Sequence, residues 1–265
     1  MYSTIELSYK FVLYYLKALN GKGHGVHSPF VFDFVTKVLN QKNSAPNFNA
    51  IELCRSELKQ NTKLVDILDR GAGSRQLDNK VRSIRYIART SLKSKKYSQL
   101  LYRMAVYYKP SHVLEMGTSF GITSSYLAAA LNEQPLVTME GAPAIAAEAR
   151  NTFNRLNIHN INLIEGDFDK SLPLYLNSIQ TIGMVYIDGN HRYEPTMNYF
   201  KMLLGKVTED SILIFDDIYW SAEMEKAWNE IKAHAAVTLT VDLFHIGIVF
   251  FRKENRQKEH FVIRY

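Results

Sequence analysis

The chain has 265 residues, of which 46% are hydrophobic, and its formal net charge is +6. This length suits one enzyme-sized domain with an appendage, and the charge falls short of a dedicated nucleic-acid binder, so a nucleic-acid partner is not expected. A single cysteine, Cys54, excludes an internal disulfide framework, and no run approaches the roughly 18 apolar residues of a membrane span. Because the N-terminus also lacks a signal-peptide pattern, we expect a cytoplasmic protein without a membrane partner.

The first 105 residues predict a helical N-terminal cap region. Apolar residues at helical spacing, interrupted by polar turns, predict helices over Ser3–Leu19, Pro29–Leu39, Ile51–Asp69 and a basic segment from about Leu77. His24 and His27 lack neighbouring cysteine or acidic partners, so a turn or lid role is favoured over metal binding. The glycine-rich stretch Leu68–Ser74 is interpreted as a loop.

Residues 106–265 form a second region, in which strand and helix patterns alternate. Strands are predicted at 112–116, 135–140, 161–165, 182–188 and 211–216, and Val237–Phe251 predicts a β-hairpin. Alternating strands and helices indicate an α/β fold, in which a parallel sheet carries helices on both faces.

A glycine-containing loop follows the first of these strands. Glu115 lies at the strand end, and Gly117 and Gly121 bracket the turn that precedes an alanine-rich helix. Glycine lets a ligand approach the backbone closely. Because Ser119 stands where a dinucleotide fingerprint has its second glycine, the spacing favours a cofactor that lacks phosphates.

Carboxylates also end the later strands. The acids concerned are Glu140, Asp167, Asp188, Asp216 and Asp217. Open α/β sheets bind ligands at the carboxyl ends of their strands, so these acids are expected along one rim. Glu140 lies about 20 residues beyond the glycine loop, where a carboxylate accepts hydrogen bonds from a ribose diol. Asp167 lies where it could accept a hydrogen bond from an adenine amino group.

The segment from Glu115 to Gly121 resembles motif I of the class I S-adenosylmethionine (SAM)-dependent methyltransferases. Residues 105–251 resemble the catechol and caffeoyl-CoA O-methyltransferases and related bacterial small-molecule O-methyltransferases. The resemblance implies a Rossmann-like, seven-stranded methyltransferase sheet over 106–265 and SAM as cofactor. It implies cofactor contacts at Glu115, Gly117, Ser119, Gly121, Thr123, Glu140, Gly141, Gly166, Asp167, Phe168 and Asp188.

The same resemblance implies catalysis at Asp188 and His191, and a site for Mg²⁺ or another divalent cation at Asp188, Asp216 and Asp217. Two residues depart from the family pattern: His191 replaces a catalytic lysine and Asp217 replaces an asparagine. A hydroxyl is a poor nucleophile at neutral pH. A cation held by carboxylates would lower the pKa of the hydroxyl, and a histidine could accept its proton. The expected partner is a small hydroxylated acceptor.

Several alternatives remain open from the sequence. The forms Asp188–His191 and Asp216–Trp220 also resemble a bacterial branch with sugar-modifying methyltransferases and cephalosporin hydroxylase-like proteins. The alternatives are a metal-independent methyltransferase for sugar, RNA or protein, a non-catalytic SAM-binding module, and a hydroxylase-like relative. The Asp216–Asp217 pair could instead cap the next helix. His191 could be a surface histidine. The oligomeric state is open, with a homodimer as one option.

Overall fold

The computed structural model describes residues 1–41, 47–67, 81–255 and 257–265. Its helices are α1 (Thr4–Lys17), α2 (Pro29–Asp33) with a following π-helical turn (Phe34–Leu39), α3 (Asn49–Leu58), α4 (Ile84–Thr90), α5 (Lys95–Tyr108), α6 (Ile122–Ala130), α7 (Pro143–Arg155), α8 (Phe168–Asn177), α9 (Tyr193–Leu204) and α10 (Ala222–Ala233). Its strands are β1 (Leu64–Asp66), β2 (Val81–Ser83), β3 (Val113–Met116), β4 (Leu136–Glu140), β5 (Ile161–Glu165), β6 (Ile182–Ile187), β7 (Val207–Asp216), β8 (Leu239–Asp242), β9 (Ile246–Phe250) and β10 (Glu259–Val262).

Contacts within the chain define two units. Unit 1 comprises Met1–Asn40, Pro110–His112 and Tyr175–Tyr265. Unit 2 comprises Gln41–Lys109 and Val113–Leu174. Residues 1–105, which the sequence grouped into one cap region, are therefore distributed over both units.

Unit 2 contains three parallel strands in the order β3-β4-β5, and helices follow β3 and β4. All four residues of β3 and the first four of β4 are buried, which explains why these strands show no alternation of apolar and polar residues. Their buried residues are apolar except for Glu115 and Thr138. Helices α3 and α4 pack with α6 around Tyr126, together with the short antiparallel pair β1-β2. Unit 2 therefore has its own apolar core.

Unit 1 contains five strands in the order β10-β8-β9-β7-β6. The pairs β6-β7 and β8-β10 are parallel, whereas β9 runs antiparallel to both β7 and β8. Helix α1 packs here, because Tyr14 and Ala18 form a buried cluster with Phe244. No helix in the described ranges is long and apolar enough to cross a membrane.

The α/β fold, the five strands from 112 to 216 and the C-terminal hairpin, now β8 and β9, are confirmed. The predicted count of seven strands is wrong. Besides the β1-β2 pair, unit 2 has three strands and unit 1 has five, because Glu259–Val262 forms a further strand that pairs with β8. The helix expected over Ile51–Asp69 is wrong beyond Leu58, since the chain enters β1 at Leu64. The Gly71–Gly73 loop and the start of the segment from Leu77 lie outside the described residues.

Candidate functional site

The loop after β3 in unit 2 has the backbone that its glycines predict. Gly117 has φ 108° and Gly121 has φ 77°, and Ser119 between them also has a positive φ of 49°. The amides of Gly117 and Thr118 both donate to the carbonyl of Met139, at 2.9 and 3.1 Å. A Cβ on Gly121 would overlap the ring of Phe153. The loop is thereby fixed against β4 and cannot tolerate a larger residue where α6 begins.

Glu140 connects this loop to the end of β4. One carboxylate oxygen accepts from the amide of Ser119 at 2.9 Å, and the other accepts from the amide of Ala142 at 3.0 Å. The half-buried carboxylate of Glu140 is therefore oriented by the backbone of the glycine loop and of the segment after β4.

The end of β5 lies beside Glu140. The amide of Gly166 donates to the carbonyl of Glu140 at 2.9 Å, and Gly166 has φ 142° with open space where a Cβ would stand. Asp167 accepts from the amide of Asp169 through its side chain, and its carbonyl accepts from Ser171. Gly141 and Gly166 are neighbours, since a Cβ on Gly141 would lie 3.9 Å from the carbonyl oxygen of Gly166. Phe168, half-buried, begins α8.

Glu115 is fully buried beneath the loop rather than exposed at its surface. Its Oε2 accepts hydrogen bonds from the hydroxyls of Ser124 and Thr138. The Thr138 hydroxyl also lies 2.7 Å from that of Thr118. Glu115 thus ties β3, β4 and α6 together, which is a positioning role. Thr123, in the first turn of α6, is also buried.

In unit 1, the acids at the ends of β6 and β7 surround a buried tyrosine. The hydroxyl of Tyr186 donates to Oδ2 of Asp188 at 2.9 Å, and the tyrosine side chain is fully buried. Burial, followed by the negative charges of Asp188 and Asp216, raises the pKa of Tyr186 well above its ordinary value, and Asp217 adds to the effect. The charges of all three predicted carboxylates therefore act on Tyr186, and Asp188 is hydrogen-bonded to it.

His191 lies beside this group. Its Nε2 is 3.5 Å from Oδ1 of Asp188, and both side chains are about one-fifth exposed. The turn between them contains Asn190 at a φ of 54°, with its side-chain amide donating to the hydroxyl of Tyr199. The left-handed Asn190 turns the chain so that residues 188 and 191 face each other.

Asp216 and Asp217 differ in their surroundings. Asp216 is only 2% exposed at the end of β7, whereas Asp217 is half-buried with a φ of 52°. The amide of Asp217 donates to the carbonyl of His245 at 2.7 Å. Ser221 caps α10, because its hydroxyl accepts from the amide of Met224. The alternative that the aspartate pair caps this helix is therefore wrong.

Within the described ranges, no three His, Cys, Asp or Glu side chains lie in a metal-ligand arrangement. Asp188, Asp216 and Asp217 therefore do not form a closed ligand cage in this structure. His27 lies elsewhere in unit 1, in a groove shared with Phe30, Asp33 and Arg252.

The sequence analysis missed three residues that contribute to the unit 1 site: Tyr186, Tyr219 and Asp242. Tyr186 lies two residues before Asp188, and the period of a strand puts both on one side of β6. Tyr219 donates to Asp242 at 2.7 Å and stacks on Phe244, which holds the loop after β7. Tyr186 could have been found from strand alternation. The Tyr219–Asp242 bond joins residues 23 apart and had no local signal.

Comparisons with known proteins agree with this geometry. Residues 114–218 match the family model described as a methyltransferase domain. A tRNA (guanine-N(7)-)-methyltransferase of Mycoplasma mobile is 32% identical over 98 residues, which cover 36% of this chain and 49% of that protein. An uncharacterised protein of Acanthamoeba polyphaga mimivirus is 29% identical over 86 residues, covering 30% of this chain and 39% of that one. The chain thus spans less than half the length of these curated relatives.

Among solved structures, the O-methyltransferase from Bacillus cereus, in complex with S-adenosylhomocysteine (SAH), has a similar fold. The TM-score is 0.57 at 17% sequence identity, and the alignment covers 83% of this chain and 97% of that one. At this identity, the likeness concerns the fold. The family match covers residues 114–218, and the fold shared with the solved structure is a Rossmann-like α/β fold.

Proposed function

We propose that the chain is a SAM-dependent methyltransferase that transfers a methyl group to a hydroxyl of a small molecule. The observation that carries the proposal is the carboxylate of Glu140, held by the amides of Ser119 and Ala142 beside a glycine loop. The methyltransferase-domain match and the fold shared with an O-methyltransferase crystallised with SAH support this assignment.

The residues of unit 2 fit SAM. A carboxylate at the end of the second strand of the sheet, where Glu140 lies, suits the hydroxyls of a ribose. Gly166 leaves the backbone open to close approach, and Asp167 and Phe168 offer a carboxylate and a ring for an adenine. Gly117 has the positive φ that the loop requires. Ser119, Gly121, Thr123 and Gly141 shape the loop, while Glu115 positions it from below. When bound, SAM supplies an electrophilic methyl group.

The residues of unit 1 fit the handling of the acceptor. We assign the proton displaced from the acceptor hydroxyl to Nδ1 of His191, because Nε2 faces Oδ1 of Asp188. Asp188, 3.5 Å away, would stabilise the charged imidazole, and Tyr186 fixes Asp188 through its hydrogen bond. The acceptor is a small hydroxylated molecule, since a histidine base serves a hydroxyl that does not ionise by itself at neutral pH.

Divalent-metal assistance is part of the proposal. Asp188, Asp216 and Asp217 would hold Mg²⁺ or another hard cation, because carboxylate oxygens are the ligands such ions prefer. The negative charges of all three act on Tyr186, and a cation bound near them would offset that charge. A bound cation supplies a Lewis acid for the acceptor oxygen.

One observation favours a second candidate, a metal-independent methyltransferase. Asp188 already has His191 and Tyr186 as neighbours, and the described residues contain no metal-ligand cluster. In that mechanism, Asp188 and His191 act alone as the acid–base pair. Activity in excess EDTA separates the two candidates: metal-assisted transfer stops, and metal-independent transfer continues.

We also propose that the N-terminal region shelters the acceptor. Within unit 1, the amide of Tyr2 donates to the carbonyl of Trp220 at 2.9 Å, three residues after Asp217. Such a cover would exclude water and strengthen electrostatic interactions. A location in the cytoplasm is consistent with the single, buried Cys54.

Titration calorimetry tests the cofactor assignment. We expect SAM and SAH to bind more tightly than NAD, and Glu140→Ala to weaken SAM binding by about 1.5–3 kcal/mol, the range for hydrogen bonds to charged groups. Glu165→Ala is a matched control, because Glu165 is opposite Glu140 across β4 and β5 but is exposed and paired with Arg150. Equal SAM affinity in Glu140→Ala and the parent, or tighter binding of NAD, would contradict the proposal.

A further inference from the structure

Helix α1 carries an apolar stripe on its solvent side. Ile5, Tyr9, Val12 and Leu16 follow one another at spacings of four, three and four residues, which places them on one helix face. Their exposed fractions are 81%, 64%, 54% and 71%. Single exposed apolar residues are ordinary, but a contiguous apolar patch marks an interaction surface.

The opposite face of α1 is already used for packing. Tyr14 is buried with its ring 5.3 Å from that of Phe244, and its hydroxyl donates to the carbonyl of Ile263. Lys10, on the same side, forms an ion pair with Glu225 at 2.7 Å. Helix α1 is therefore apolar on two sides, and such helices are normally covered on both.

The spacing of the stripe is symmetric about its centre. In an antiparallel pair of α1 helices, Ile5 of one copy would be opposite Leu16 of the other, and Tyr9 would be opposite Val12. Each copy would then present the same surface, which is the property of an isologous two-fold interface. Alternating spacings of three and four are also those of a helix–helix seam.

Exposure and charge agree with a second copy as the occupant. All four side chains of the stripe are more than half exposed, so the whole length of this face of α1 is accessible to a partner. The first turn of α1 carries Glu6 and the last turn carries Lys17. An antiparallel pair brings the acidic end of each helix toward the basic end of the other, and it also opposes the helix dipoles.

We propose that the chain forms a homodimer through antiparallel pairing of α1 with α1 of a second copy. The proposal does not depend on the catalytic assignment, because it rests only on α1. It has a consequence for unit 1, since α1 follows Tyr2, which is bonded to Trp220, and packs on Phe244, which stacks on Tyr219. Dimerisation would thus hold the loop after β7.

Sedimentation equilibrium of the full chain, over nanomolar to tens of micromolar concentrations, tests the proposal. We expect a dimer that Leu16→Glu weakens by about tenfold or more, because the new charge would be buried without a partner. Leu174→Glu is the matched control: Leu174 is 72% exposed, as Leu16 is 71% exposed, but it lies on α8. The control should leave the dimer unchanged.

A charge pair tests the antiparallel register. Ile5→Lys alone should weaken the dimer, as Leu16→Glu does, whereas the double variant should restore it. The lysine of each copy would then face the glutamate of the other. The two positions are eleven residues apart on one straight helix, too far to pair within a copy. Circular dichroism checks that each variant stays folded.

Three results would overturn the proposal. The first is a monomer at every concentration, and the second is a dimer indifferent to Leu16→Glu or not restored by the double variant. The third is a monomer that floats with vesicles of anionic phospholipid and loses this binding in Leu16→Glu, because the stripe would then be a membrane surface. A dimer that responds to both single variants and recovers in the double variant supports the proposal.

Discussion

The hydroxyl of Tyr186 donates a hydrogen bond to Oδ2 of Asp188 at 2.9 Å, across two residues of the same chain segment. Tyr186 is fully buried, so this bond forms where water cannot replace it. The other oxygen of Asp188 faces His191. Tyr186 is therefore a positioning residue, which fixes the carboxylate that orients the proposed base.

Replacing Tyr186 by phenylalanine should lower kcat more than it changes KM for SAM. Loss of one hydrogen bond to a charged acceptor costs about 1.5–3 kcal/mol, or about 10- to 150-fold in rate where the bond serves catalysis. The acidic limb of the pH–rate profile should move to higher pH, because the ionised carboxylate loses a donor. Steady-state kinetics at several pH values, with calorimetry for SAM affinity, measure both effects.

Tyr126→Phe is the control for that variant. Tyr126 is also fully buried and donates to a carboxylate, that of Glu52 at 2.8 Å, but it belongs to the core of unit 2. We expect it to lower stability without moving the pH–rate profile. A Tyr186→Phe enzyme with parental kcat and an unmoved profile would remove the positioning role.

Much of the fold could be predicted from the sequence, because its strands are buried apolar runs with clear ends. Strand β3 has no exposed residue, and three of its four residues are apolar, Glu115 being the exception. The short strand β1 could not be predicted, since its three residues acquire strand character only through pairing with β2. The same holds for β10, whose four residues gain their partner from β8.

The residues of the candidate site that lie at the ends of strands could be predicted from the sequence. Strand ends in a parallel sheet mark ligand positions, so Glu140 and Asp188 could be singled out from the sequence. The buried position of the Glu115 side chain could not be predicted, because it depends on hydrogen bonds from the hydroxyls of Ser124 and Thr138. A buried carboxylate requires such donors, and they come from a different strand and a helix.

Substitutions at Gly121 and Gly25 distinguish the free-energy cost of a left-handed backbone from the cost of steric overlap at the new Cβ atom. Both have positive φ, 77° and 81°, but a Cβ on Gly121 would overlap Phe153, while a Cβ on Gly25 would meet open space. Gly25→Ala should cost about 1–2 kcal/mol from the left-handed backbone alone. Gly121→Ala should cost a further ~1–3 kcal/mol from overpacking.

Urea unfolding of the two alanine variants measures these costs. Gly121→Ala should also weaken SAM binding, since the helix start would shift, whereas Gly25→Ala should leave it unchanged. Equal destabilisation by both substitutions would show that Phe153 moves aside without cost, contrary to this account.

Asp242 should make the stability of the protein fall as the pH rises. Burial raises its pKa above the ordinary value of 3.8, although Tyr219, the amide of Phe244 and Trp228 donate to it and oppose the shift. The folded state therefore holds this proton at pH values where the unfolded chain has lost it. The resulting stability is present below pH ~4 and is lost as the pH rises through the raised pKa.

The Asp242→Asn variant should not show this loss of folding stability as the pH rises. The free energy of unfolding of the parent, relative to that of the variant, should decline from pH ~4 upward and then level off above the raised pKa. Asp210→Asn, an exposed residue of β7, should show no such relative decline. Denaturant unfolding between about pH 4 and 8 tests this, and parallel curves for the parent and Asp242→Asn would be the contrary result.

Asp216 provides the test of metal assistance. If a cation is held by Asp188, Asp216 and Asp217, protein treated with a chelator should bind SAM but transfer no methyl group, and Mg²⁺ or Mn²⁺ should restore transfer. Asp216→Asn replaces an anionic ligand by a neutral one of the same shape, so it should raise the cation concentration needed for half-maximal rate by about tenfold or more. Asp210→Asn, on the same strand but exposed, should leave this concentration unchanged. Full activity of the parent in excess EDTA would exclude the metal-assisted mechanism, and transfer would then rest on the Asp188–His191 pair.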